Sequence, residues 1–173
     1  MPPEPIIRTA DIEDNYRWIA RRAWGGGACI LWIMLNPSLA NGERDDPTMQ
    51  RIIGFSYRWG FGSLAVCNLY PFISPNTDAL RAWRKHWNTK DDWHGAGTYE
   101  YDKSAMNAWL KNMDVVREAI KSSAVHVAAW GNGADRDDLE HFLQEVTWEW
   151  DIIGPAKFHA TADDGERKQH DGF

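Results

Sequence analysis

The sequence is short of the features that announce the commonest site chemistries. No apolar run reaches the roughly 18 residues that a membrane-spanning helix needs, so no membrane partner is expected. The opening MPPEPIIRTADIED lacks a basic segment followed by an apolar one. No secretory signal is therefore expected, and the cytoplasm is the expected compartment. Cysteine is scarce: Cys29 and Cys67 are too few for a zinc cluster and lie in apolar stretches as expected free thiols. There is no GxSxG elbow, P-loop or GxGxxG stretch, which leaves covalent hydrolysis and nucleotide-triphosphate chemistry unsupported. Positive charge is also in short supply, with 19 Lys and Arg against 25 Asp and Glu and a net charge of −6. A broad grip on duplex DNA normally needs a basic face. RWIARR at 17–22 and RAWRKHW at 81–87 are local exceptions and read as solvated helix faces.

What the chain has instead is aromatic bulk, including 11 tryptophans among 173 residues. Its length suits a single domain, 1–173, with a sizeable core. The organising stretch is LWIMLNPSLANGERDDPT, residues 31–48. An almost wholly apolar run at 28–35 reads as a strand buried on both faces. It breaks at Asn36-Pro37-Ser38 and crosses a polar loop. Asp46 followed by Pro47 is a doubly supported helix start, a capping carboxylate with proline at the first helical position. Met49, Ile52, Ile53 and Ser56/Tyr57 continue a helical stripe that Gly60 and Gly62 end.

Residues 63–70 (SLAVCNLY) form a second expected strand, interrupted by Asn68. Pro75-Asn76-Thr77 opens a helix with Leu80 and Trp83 inward. Residues 87–103 read as a long loop. Residues 104–122 form an amphipathic helix with Met106, Trp109, Leu110, Met113, Val116 and Ile120 inward. A third strand at 124–130, a turn at Gly131-Asn132-Gly133, a helix capped by Asp135 and a fourth strand at 152–159 complete the series. In the last of these helices Leu139, Phe142, Leu143 and Val146 face inward. Residues 1–14 read as a surface arm and 160–173 as a polar tail, while 15–24 are either a short helix or an irregular strand. Strands alternating with helices predict an α/β fold with a parallel sheet covered on both faces. Ligands then bind at the carboxyl ends of the strands. That rule gathers residues 36–40, 68–72, 130–132 and 159 onward.

Each candidate there has a plain reading beside a chemical one. Asn36 either satisfies loop backbone groups or orients a water or carbonyl. Asn68, among apolar neighbours, either ties a loop or matches the C=O/N–H edge of a pyrimidine. Asp45 is either solvated or an acid or cation contact; Asp46 is already used as a cap. Tyr70, Phe72 and Trp130 either pack or stack on a flat ring. His126 reads as packed, His86, His94 and His141 as surface or loop residues. His159 and His170 lie on the expected site face as electrophile or acid. No metal site and no cofactor are expected.

The segments NYRWIARRAWG, LWIMLNPSLA, DDPTMQRIIGFSYRWGFGSLAVCNLY and VHVAAWGNGA, with the signature MLNPS…DDPT…WG…NL…AWG, resemble the family known as domain of unknown function 1643. More distantly the pattern resembles the uracil-DNA glycosylase superfamily, especially its mismatch-specific branch. That resemblance implies a three-layer α/β/α sandwich with a central, mainly parallel four-stranded sheet. It implies that Asn36, in MLNPS, orients the attacking water, that Pro37 and Ser38 shape the same loop, and that Asn68 reads the base edge. It assigns a late base contact to His170 or His159. The implied partner is a nucleobase, nucleotide or DNA, and the implied reaction is hydrolysis of an N-glycosidic bond. The chain departs from the glycosylases at Ser38, where they carry glycine, and at its end, QHDGF, where an HPSP-like loop is expected. A non-catalytic nucleotide-, nucleic-acid- or protein-binding module on the same fold is the alternative.

Overall fold

The computed structural model describes residues 5, 7–74, 76–87, 103–147 and 158–160. Among the described residues the sheet has six strands in the order β1-β2-β4-β3-β5-β6. These are β1 (Ile7–Glu13), β2 (Tyr16–Ala23), β3 (Cys29–Met34), β4 (Ser63–Asn68), β5 (Val125–Ala129) and β6 (Phe158–Ala160). β4, β3, β5 and β6 pair in parallel, whereas β1 and β2 form an antiparallel hairpin along β4. The fold is mixed α/β, and the sheet is larger and less uniform than the expected parallel four strands. Residues 7–13 are an edge strand rather than part of an arm, and 17–22 is a strand rather than a helix face. β1 escaped notice because its polar, exposed residues show no buried face.

Among the described residues four α-helices cover the sheet: α1 (Pro47–Arg58), α2 (Thr77–Trp87), α3 (Lys103–Lys121) and α4 (Arg136–Thr147). Strand alternation divides the core between the two faces. Ile30 and Trp32 of β3, with Leu64 and Val66 of β4, meet Met49, Ile52 and Ile53 of α1. Leu31, Ile33, Ala65 and Cys67 point the other way, into Trp83, Trp109, Met113, Val116, Phe142 and Val146. One helix therefore lies on one face and three on the other. Tryptophan fills both sides. Trp32 stacks on Trp59 (5.5 Å) and donates its indole N–H to Ser56 Oγ (3.0 Å), so its polar edge is satisfied inside the core.

The α1 start follows its sequence signal. Asp46 Oδ1 accepts from the Met49 N–H at 2.8 Å and Pro47 takes the first turn. Such a cap typically stabilises by about 1 kcal/mol. After α1 the chain turns at Gly60 (φ 85°) and brings Gly62 hard against the end of β2. A Cβ on Gly62 would sit 2.3 Å from the Gly26 carbonyl oxygen, so only glycine fits that crossing. Leu110 departs from its expected place: it is 54% exposed, beyond the edge of the buried α3 stripe.

Two further features position the site. β3 exits to the α1 face while its neighbours β4 and β5 exit to the three-helix face. The carboxyl ends beside β3 therefore have the switch-point topology at which open α/β sheets bind ligands. In the β1–β2 hairpin, Ile12 pairs with Arg17 but Asp11 pairs with Ile19. Trp18 is the extra residue of a β-bulge, and the bulge shifts the facing of everything before it. Loop 87–103 and tail 160–173 lie outside the described residues, except at Trp87, Lys103 and Ala160 at their ends.

Candidate functional site

The site is built at the carboxyl ends of β3 and β4. Asn68 is the last residue of β4 and pairs in register with Met34, the last of β3. The alternation that sends Leu64 and Val66 toward α1 sends Asn68 to the same side. From behind, Asn112 of α3 donates its amide to the Asn68 carbonyl (2.9 Å) and the Leu69 carbonyl (3.3 Å), which fixes the strand end. The Asn68 side chain is completely buried, yet among the described residues neither its Oδ1 nor its Nδ2 has a hydrogen-bond partner. Buried amides in native proteins are almost always paired.

Beside it stands Arg17, whose N–H donates to the Pro71 carbonyl just beyond β4. Arg17 is 2% exposed. Its Nη1 donates to the Ala40 carbonyl (2.8 Å), while Nε is buried without an acceptor. Burial pulls its guanidinium down to about 10, the Asp46 carboxylate opposing this and the Arg22 charge adding to it. Loop 36–46 roofs this corner. Pro37 and Ala40 are buried, Ser38 is half-buried and Leu39 is exposed.

The loop is held from two directions. The Asn36 amide nitrogen donates to the Ser74 carbonyl (2.7 Å) and the Pro37 carbonyl (3.2 Å). Among the described residues nothing donates to its Oδ1. On the other side Arg22, fully buried, bonds Asp45 through Nε (2.6 Å), the Thr9 and Arg21 carbonyls through Nη1, and the Asn41 carbonyl through Nη2. Asp45 also takes Arg8 (3.2 Å) and is 9% exposed. It is neither solvated nor open to a cation, because two arginines already occupy it.

The remaining candidates fall elsewhere. Tyr70 is buried in the three-helix core and donates its hydroxyl to Asp138 (2.6 Å). Burial, then that hydrogen bond, push its phenol well above the usual tyrosine range. Arg84 bonds the same carboxylate (2.6 Å), so strand end, α2 and α4 meet at one buried cluster. The second basic stretch therefore contributes a half-buried Arg84 paired with a buried carboxylate, not only a solvated face. Phe72 stacks on Trp83 (5.7 Å), and Trp130 packs edge-on to Phe142 (6.2 Å). These rings belong to the core beside the site. His126 Nε2 lies 3.0 Å from the Ile120 carbonyl, and His141 stacks on Trp109. His159 falls inside β6, paired with Val127, rather than beyond the last strand. His170 lies outside the described residues. Burial pushes the Cys67 thiol up to about 12, so it stays protonated; both cysteines are free. Among the described residues no group of His, Cys, Asp and Glu could hold a metal ion, and no helix is long and apolar enough to cross a membrane.

A family described as "Protein of unknown function (DUF1643)" matches residues 17–157. The chain belongs to the DUF1643 family. No curated protein and no solved structure is matched by it. The match to DUF1643 opens at Arg17 and takes in the whole corner formed by Arg17, loop 36–46 and Asn68.

The pocket residue that escaped the sequence reading is Arg17. The signal was an arginine ahead of the apolar Trp18-Ile19-Ala20, which a solvated helix face does not explain. The Tyr70–Asp138 pair had no local signal, its members being 68 positions apart.

Proposed function

We propose that this protein recognises a planar, base-like ligand at the carboxyl ends of β3 and β4, on a glycosylase-like α/β/α sandwich, and hydrolyses its N-glycosidic bond. One observation carries the reading: a fully buried Asn68 amide with neither donor nor acceptor matched. A primary amide offers a donor beside an acceptor, the complement of a pyrimidine C=O/N–H edge. A ligand with that edge would satisfy both atoms at once and recover the desolvation cost of leaving them unpaired, about 1–3 kcal/mol. Asn36 supports the hydrolytic half. With its nitrogen held by the Ser74 carbonyl, its oxygen is left to accept from a water. If the base came from a duplex it would have to be flipped out of the stack to enter. The likeness to glycosylases rests on sequence motifs alone.

Asn68→Leu separates a binding role from a structural one. Removing an unmatched buried amide should leave the free protein as stable or about 1 kcal/mol more stable in urea, while abolishing binding of uracil or uridine followed by NMR. A loss of stability with unchanged binding would reverse the assignment. Asn36→Ala should stop glycosidic cleavage in a screen over modified and unmodified bases while sparing binding. A screen unaffected by it rules out the water-orienting role.

The second reading, a binding module without turnover, is favoured by the loop's carboxylates. Asp45 is committed to two arginines and Asp46 to the helix cap, so neither is free as a general base. Ligand-induced thermal stabilisation without any cleavage would select it.

A further inference from the structure

Arg17 has no counterpart in that reading, and its surroundings demand one. It is a cation at 2% exposure with one neutral carbonyl partner and an orphan Nε. Among the described residues no carboxylate bonds it; Asp46, the acid that acts on it electrostatically, is spent on the Met49 N–H. Arg22 shows what the same strand does when a guanidinium is structural: every nitrogen has an acceptor and one acceptor is a carboxylate. A buried charge without such a partner costs several kcal/mol and is retained where something else supplies the opposite charge. Guanidinium geometry suits a planar oxyanion, two parallel N–H groups meeting two oxygens.

We propose that Arg17 is the anion-binding residue of this pocket, and that the ligand carries a carboxylate or other compact oxyanion beside the ring edge read by Asn68. This rests on the base-recognition reading above and narrows it. The two side chains come from β2 and β4, which pair antiparallel, and the Arg17 N–H meets the Pro71 carbonyl, three residues past Asn68. The ligand class is a planar imide or lactam bearing an oxyanion. Asn68 supplies the donor–acceptor pair, Arg17 the charge, and the Ala40 carbonyl on Nη1 sets the guanidinium plane.

The test compares three probes on the full chain by calorimetry: uracil, orotate (uracil bearing a 6-carboxylate) and inorganic phosphate. Orotate should bind at least tenfold more tightly than uracil. Arg17→Met should erase that preference while leaving uracil affinity within about threefold, and Arg17→Lys should restore part of it. Urea midpoints for both variants show that each is folded, and the wild-type comparison of orotate with uracil needs no variant at all. Equal binding of orotate and uracil by the wild type overturns the anion subsite and leaves base recognition standing. Phosphate binding lost in Arg17→Met, with neither ring bound, keeps the anion subsite but overturns base recognition and the combined ligand. Binding of none of the three overturns both.

Discussion

Arg22 and Arg17 leave the same strand, reach the same loop and are equally hidden from water, yet their surroundings differ in kind. Arg22 is enclosed by Asp45 and three backbone carbonyls and acts as a rivet between the hairpin and loop 36–46. Arg17 holds one carbonyl and leaves Nε bare. A completed network fixes geometry, while an incomplete one marks where the fold expects something from outside. The same contrast separates the two ends of the pocket: Asn36 is tied through its nitrogen, whereas Asn68 is tied only through its backbone.

The contrast can be broken by removing each guanidinium in turn. Arg22→Met strands the Asp45 carboxylate and three carbonyls in a largely dry place. It should cost about 3–5 kcal/mol in urea unfolding, the largest effect of the set. Arg17→Met, of similar length and apolar, should leave the free protein within about 1 kcal/mol of wild type or make it more stable, because it removes an uncompensated charge. Equal costs for the two would erase the distinction between rivet and receptor.

Arg84 sharpens the comparison as an intermediate case. It bonds buried Asp138 and half-exposed Asp135 (3.1 Å). Burial works to raise the Asp135 carboxyl, but the hydrogen bond and charge of Arg84 outweigh it and hold the group below its usual 3.8. A carboxylate with a lowered folded value contributes fully above its unfolded value and loses that contribution as pH falls through the folded one. With 42% of the side chain exposed, solvent screens most of this. Asp135→Asn should cost less than about 1 kcal/mol near neutrality, and the difference from wild type should vanish below about pH 3. A urea series across that range measures it.

Periodicity made much of the scaffold legible. The apolar runs at β3 and β4 and the Asp46-Pro47 start of α1 stand where the sequence puts them, because burial on both faces and helix capping are local properties. The polar hairpin strand β1 was not legible, since an edge strand without a buried face carries little alternation. Leu110 misled because it sits on the flank of the apolar stripe, where a helix packed on one side still leaves a residue in water. Asn36 and Asn68 were visible as polar breaks in apolar runs. Arg17 was hidden by its spacing: five positions from Arg22, it should face the opposite side of a regular strand, as period two requires.

That spacing gives the bulge at Trp18 a consequence for how the protein can change. The odd interval contains one bulged residue that takes no place in the alternation, so it counts as even, and both guanidiniums reach one loop. The pocket is thus phased by a single residue. Point substitutions along β2 leave the phase intact, and so does deletion of Trp18, which leaves an even interval in a regular strand; a one-residue deletion between Trp18 and Arg22 that kept the bulge would set the two arginines on opposite faces. Within this strand, register decides where the two arginines point more than the identity of the residues between them does.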